Sequence, residues 1–241
     1  LASHSDRPDK SFTFVVLNQD IVNAFAAPGG VIALFTGLIL AADDQNEVAG
    51  VLAHEIAHVT QQHLYRALEK QQAMTIPIAL AMLAIAVAGG GDGEAIQGAI
   101  AAGQAAAAQT SINYTRQNEY EADRIGISTL SRAGYDPVGM AEFFEKMGRI
   151  NRSMGEGPPE FLRTHPVSVS RIAEAENRAA KMPEPEADDG RDFYLIQARL
   201  RVISNKSMDD VLDWFEHCKG RADITGAEAD ANEYGRAIAL Q

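Results

Sequence analysis

Two histidines four residues apart, with a glutamate directly after the first, form the part of this chain most plainly suited to chemistry: His54-Glu55-Ile56-Ala57-His58. On an α-helix, positions i and i+4 share a face, so both imidazoles can present a nitrogen to one point. Neutral imidazole is a ligand for zinc, and two such ligands supply half of a tetrahedral shell. In the pattern H-E-x-x-H the glutamate serves as general base for hydrolysis. From Val48 to Gln62 the chain reads VAGVLAHEIAHVTQQ, in which His54, Glu55 and His58 are the only ionisable side chains. A helix that is apolar all round is a buried one. Buried imidazoles and carboxylates without partners cost roughly 1 to 3 kcal/mol per group, and a bound cation removes that cost. The alternative is a chance match whose histidines are core residues.

A catalytic zinc needs a third protein ligand and a fourth position open to water. The best source is Asn118-Glu119-Tyr120-Glu121-Ala122-Asp123. From Gln117 to Arg132 the chain has no Pro and one Gly, Gly126, while Gly134 followed by Pro137 makes a stop signal. On the helix this predicts, Glu119 and Asp123 share a face and Glu121 points elsewhere. Glu119 is assigned as the third ligand and Asp123 as the acceptor for the free N–H of a ligating histidine. An ordinary solvated charged face is the alternative for both. The expected cofactor is one Zn2+ per chain.

The combination of His54-Glu55-x-x-His58 with a later Glu119-x-x-x-Asp123 resembles the gluzincin peptidases that include CaaX prenyl proteases, HtpX heat-shock proteases and periplasmic BepA-like proteases. The BepA-like likeness extends to Val22-Asn23-Ala24-Phe25-Ala26, Pro28-Gly29-Gly30, Glu121 to Gly126, Ala133-Gly134-Tyr135-Asp136-Pro137 and Thr164-His165-Pro166. It covers roughly Phe12 to Ala179. The resemblance implies an α+β, mostly helical fold: a zincin-like metallopeptidase domain with a small edge β-sheet. It also implies an endopeptidase of the bacterial periplasm or cell envelope acting on unfolded or misassembled proteins. A second function class stays open, a chaperone or docking module for envelope protein assembly with a mainly structural zinc. A displaceable fourth zinc position separates the two, because structural sites are closed by fixed protein ligands.

The secondary structure around these residues is readable in outline. Phe12 to Asn18 and Ile32 to Phe35 have the aromatic and β-branched character of strands, with Asn23 to Gly30 an extended or hairpin segment between them. The resemblance implies an edge strand that binds substrate backbone by strand addition, and Asn23 to Ala27 is the candidate. A plain hairpin is the alternative. Asp44 and Glu47 have capping-box spacing, so the active-site helix is expected to start there and run from Gln45 to about Gln71. On such a helix His63 lies off the ligand face and is read as a surface residue. Met74 to Ala88 is apolar but shorter than the roughly 20 residues that span a bilayer. Followed by Gly89-Gly90-Gly91 and an Ala-rich stretch through Ala108, it reads as a limb of a helical hairpin or lid beside the site. Burial of this pair, or peripheral membrane contact through 74–108, are its two readings.

Ser153 to Glu160, rich in Gly and Pro, is a loop that delivers Thr164-His165-Pro166 to a fixed place. His165 could enter the zinc shell as a fourth ligand and hold the enzyme idle until the loop moves. It could equally bind substrate or cap a helix beginning near Ser168. Arg171 is a candidate to contact Glu119, a substrate carboxylate or the developing oxyanion, or to be an exposed helix residue. The catalytic candidates are therefore Glu55, Asp123, His165 and Arg171, and the metal candidates His54, His58, Glu119 and His165.

The 241 residues, 46% of them hydrophobic, suffice for one good core and a small appendage. A formal net charge of -12 argues against nucleic acid and against attraction to anionic lipid. Cys218 is alone, so no intrachain disulfide forms. Leu1 to Lys10 is polar and charged, the appearance left when an export signal is removed. We expect a metallopeptidase domain over 1–182, an acidic linker over 183–190 and a helical extension over 191–241. The extension reads as helices Phe193 to Ser204, Met208 to Lys219 and Ala229 to Leu240. Ala198, Leu200, Trp214, Tyr234 and Ala237 give a packing pattern that resembles the start of a tetratricopeptide array, which would dock outer-membrane assembly machinery. A helical cap on the peptidase domain is the alternative.

Overall fold

The computed structural model describes residues 1–88, 93–153, 157–205, 207–219, 224 and 226–241. Within the long hairpin described below, the side chains of 74–79, 81–83, 85–88, 93–96 and 99 are outside the described set. So are Gly89, Gly90 and Gly91 of the expected turn, and Met154 to Glu156 of the expected loop before His165.

After a short 3-10 turn, Ala2–His4, the chain builds a three-stranded sheet from β1 (Thr13–Leu17), β2 (Ala24–Ala27) and β3 (Val31–Phe35). Its order is β1-β3-β2, with β3 parallel to β1 and antiparallel to β2. Gly29 and Gly30 supply the positive φ angles, 87° and 86°, that turn β2 back into β3. The segment left open between extended strand and hairpin is both: β2 pairs with β3 on one side and forms an edge of the sheet on the other.

A short helix α1 (Thr36–Ala41) leads into α2 (Gln45–Thr60), the helix that carries His54, Glu55 and His58. Asp44 caps it by accepting hydrogen bonds from the N–H groups of Asn46 and Glu47. Glu47 reaches back to the N–H of Asp43, one residue further than a standard capping box, and is also paired with buried Lys146.

The continuous helix expected to about Gln71 does not form. It ends at Gln61, and Gln62 takes a left-handed conformation with φ 57°, the one non-glycine residue with positive φ among those described. Helix α3 (His63–Ala88) then begins and packs along α4 (Gly93–Arg132) as a long hairpin. Leu80, Ile100 and Ile112 on the hairpin are exposed, and among the described residues no helix is long and apolar enough to cross a membrane.

Three further helices follow: α5 (Val138–Ser153), α6 (Glu160–Thr164) and α7 (Val169–Ala179). The main core lies where α2, α4, α5 and the sheet meet, on Ile32, Leu38, Ile56, Ile127, Phe143 and Phe144. Two glycines let the helices approach almost backbone to backbone. A Cβ at Gly50 would stand 2.8 Å from Met140 Cα, and one at Gly126 would stand 3.2 Å from Ala53 C and His54 N. The second approach draws the α4 carboxylates onto the α2 histidines.

The tail folds as α8 (Arg191–Ser204), α9 (Met208–Lys219) and α10 (Gly226–Ala239) around a separate small cluster of Ala198, Val211, Phe215 and Ala231. Phe193 joins the main core, and the Gln197 amide donates to the carbonyls of Ile39 and Ala42.

Candidate active site

Four donor side chains from three elements converge on one point. His54 and His58 come from α2, Glu119 from α4, and His165 from the turn between α6 and α7; one ligand atom from each lies within 4.8 Å of every other. His54 Nε2 is 2.9 Å from His58 Nε2, 3.2 Å from His165 Nδ1 and 3.4 Å from Glu119 Oε2. His58 Nε2 stands 3.4 Å from Glu119 Oε1, and His165 Nδ1 stands 3.2 Å from Glu119 Oε2. Ligands at zinc distances on a tetrahedron are separated by about 3.3 Å. The five donor separations given, 2.9 to 3.4 Å, are close to that value, so the residues present fit a zinc ion. Imidazole nitrogens crowded this closely repel one another unless a proton or a cation lies between them.

Around the donors stands a layer of charged side chains in contact with them. Asp123, one helical turn beyond Glu119, holds Oδ1 3.0 Å from His54 Nδ1, a close ion contact not aligned as a full hydrogen bond. Arg171 donates to both oxygens of Asp123 at 2.7 Å and approaches Glu119 Oε2 at 2.9 Å. Its guanidinium is buried, packed 4.8 Å from the Phe144 ring centre, with a further hydrogen bond to the Pro166 carbonyl. Of the four readings kept for Arg171, the contact with Glu119 is the one seen. Exposure is ruled out, and both faces of its fork are committed to protein groups rather than turned to substrate.

His63 corrects the sequence reading. It is buried rather than on the surface, its Nδ1 is 2.9 Å from His58 Nδ1, and its Nε2 is 3.1 Å from Glu121 Oε2. Glu121 does point away from Glu119 and Asp123, and it meets Arg66 as well, at 3.0 Å. The helix break at Gln62 causes this, because on an unbroken helix a residue five along faces well away. Phe144 and Phe161 were also not singled out; their rings lie 6.2 Å and 5.0 Å from those of His54 and His165. The apolar pattern of 138–153 was the available signal for Phe144.

Electrostatics follow from burial and contacts. Burial disfavours a charged His54, but the carboxylates of Asp123 and Glu119 outweigh it and push the imidazole up to about 10. Burial and the neighbouring His54 hold His58 below its ordinary value. Burial would raise Glu119, yet its contacts with His165, His54 and His58 keep it well below the usual carboxylate range. Burial, then the charge of His58, pushes His63 down to about 4.

Glu55 completes the centre. Its Oε1 is buried without an aligned hydrogen-bond partner among the described residues and lies 3.2 Å from His165 Nε2. His165 does not cap α7: the Ser168 hydroxyl does, accepting from the Arg171 N–H. A cavity of about 710 Å³ opens from Glu55, His58 and His165 along β2, past Phe25 and Ala27, to an apolar wall that includes Leu64 and Leu68.

A small sheet whose edge strand borders a helix bearing H-E-x-x-H, with a glutamate donated by a second helix, defines a zinc metallopeptidase of the gluzincin type. The profile of Peptidase family M48 matches residues 1–179, and the chain belongs to that family, whose members use zinc. It is 40% identical over 242 residues to the beta-barrel assembly-enhancing protease of Escherichia coli K12, an alignment covering 99% of this chain and 48% of that protein. The protein of the same name from Yersinia pestis is 36% identical over 241 residues, covering 100% of this chain and 49% of the relative. The mitochondrial metalloendopeptidase OMA1 of Arabidopsis thaliana is 30% identical over 161 residues, covering 67% of this chain and 30% of the relative. The chain spans about half the length of the beta-barrel assembly-enhancing proteases it matches.

Proposed function

We propose that this chain is a zinc endopeptidase that cleaves unfolded or misassembled proteins of the bacterial envelope, with His54, His58 and Glu119 as metal ligands and His165 as a removable fourth. The observation that carries the proposal is the four-donor cluster at one end of a cavity bordered by the edge strand β2. When bound, zinc supplies a Lewis acid for the scissile carbonyl and makes water acidic enough to ionise near pH 7. The unpaired edge of β2 takes up an extended substrate by backbone hydrogen bonds, which suits unfolded chains and leaves sequence preference to the side-chain pockets. Glu55 accepts the proton of the attacking water and delivers it to the leaving amine. Asp123, clamped by Arg171, fixes the His54 ring and acts through it.

In the arrangement described, His165 occupies two roles at once. Its Nδ1 sits where the fourth donor belongs and its Nε2 faces Glu55, so both the water position and the base are engaged. Departure of the His165 turn frees both together. The envelope location and a link to outer-membrane assembly through α8 to α10 are carried by similarity to proteins named for β-barrel assembly. We assign 1–182 as the peptidase domain, 183–190 as a linker and 191–241 as a docking extension, the start of a tetratricopeptide-like region.

A second reading, a chaperone or docking module with structural zinc, is favoured by one observation: four protein donors close the shell. Mass spectrometry of casein incubated with the zinc-loaded chain separates them. The peptidase reading expects new internal termini that vanish on chelation. Stoichiometric zinc without cleavage, in the wild type and with His165 removed, supports the chaperone reading.

A further inference from the structure

We propose that His63 and Glu121, anchored by Arg66, form a positioning relay that fixes the tautomer and orientation of the metal ligand His58. This deepens the zinc reading above and rests on it.

His58 Nε2 points into the donor cluster, 2.9 Å from His54 Nε2 and 3.4 Å from Glu119 Oε1. As the ligand atom it must be free of hydrogen, so the ring proton sits on Nδ1. That N–H faces His63 Nδ1 at 2.9 Å, which must accept it. A neutral His63 accepting at Nδ1 carries its own hydrogen on Nε2, and Nε2 meets Glu121 Oε2 at 3.1 Å. The same oxygen takes a hydrogen bond from Arg66 at 3.0 Å, so the terminal carboxylate is itself held. Every donor in the series has one acceptor, and reversing any ring would set two hydrogens or two lone pairs against each other.

The relay parallels the one on the other ligand. His54 is backed by Asp123 and then Arg171; His58 is backed by His63, then Glu121, then Arg66. A single stretch of α4 serves the whole site, with Glu119 toward the donors, Asp123 behind His54 and Glu121 behind His58. The left-handed Gln62 is what swings His63 into place, which gives its unusual backbone a purpose. His63 is buried, and Arg66 and Glu121 reach solvent, so the relay runs from the metal centre to the surface.

The test is zinc affinity by chelator competition on the intact chain, with no substrate present. His63→Leu removes the acceptor, while in His63→Asn the amide oxygen can stand where Nδ1 stood. The relay predicts zinc binding 10- to 100-fold weaker in His63→Leu, largely recovered in His63→Asn, and weakened less in Glu121→Gln. Nitrogen-15 NMR of the zinc-loaded wild type should show His63 with its hydrogen on Nε2. Wild-type affinity in folded His63→Leu, or a hydrogen on His63 Nδ1, overturns the relay. If His63→Leu does not fold, the tautomer measurement on the wild type decides alone. A wild type that binds no zinc defeats the zinc reading itself, an outcome distinct from any of these.

Discussion

His165 Nε2 lies 3.2 Å from Glu55 Oε1, so the histidine on the α6–α7 turn meets the general base of the proposed reaction as well as the metal donors. In the function proposed above, a group that fills the fourth donor position and occupies the base restrains hydrolysis until it leaves. His165→Ala should keep zinc on the remaining three donors and raise the initial rate of casein hydrolysis severalfold. Zinc retained with a lower rate would show that His165 serves catalysis or substrate binding instead, and an unchanged rate would remove it as a restraint.

Asp123 is the only carboxylate described against His54 Nδ1, and it is held by both arms of Arg171. Asp123→Asn keeps the shape and loses the charge. Zinc affinity should fall about 10- to 100-fold, with kcat falling among molecules that are loaded. An affinity within twofold of the wild type would remove Asp123 from the metal centre.

The metal-free centre holds a proton at neutral pH, because the carboxylates of Asp123 and Glu119 raise His54 to about 10. Zinc must displace that proton. The sign follows: lowering the pH strengthens the competing proton, so zinc affinity drops as pH falls, by about tenfold per unit below the raised value. Calorimetry at pH 7 in two buffers of different ionisation heat should report about one proton released per zinc. Affinity independent of pH between 7 and 9 would contradict this.

Gly126 tests the packing that brings α4 to α2. A Cβ there would lie 2.7 Å from Met140 Cε and 3.2 Å from the backbone at Ala53 and His54. Gly126→Ala should cost about 1 to 3 kcal/mol through overpacking, a loss of several degrees in Tm. It should also weaken zinc binding, because any parting of the helices withdraws Glu119 and Asp123. Gly134→Ala, where no heavy atom lies within 4 Å but φ is 81°, should lower stability without touching the metal centre.

What the sequence made legible was whatever depends on short helical spacing. His54 with His58, and Glu119 with Asp123, each sit one turn apart, and the structure brings all four together. The strands and the capped start of α2 were legible for the same local reason. His63 is not legible from helical spacing, because its place depends on a left-handed Gln62 that no glycine or proline announces. Arg171 stayed open because its partners are some fifty residues earlier in sequence, and only the packing of α7 beside α4 chooses among them. The length of α4 was missed too: its Ala-rich first half and its charged second half read as separate segments but form one helix.

Hydrolysis with Glu55 as the base, at a zinc held by its neighbours, stands or falls on the rate of casein cleavage in Glu55→Gln, with zinc content verified in the same sample. We expect full zinc occupancy and cleavage reduced by at least about a hundredfold, the scale of a lost general base. Full zinc occupancy with wild-type cleavage would rule out Glu55 as the base.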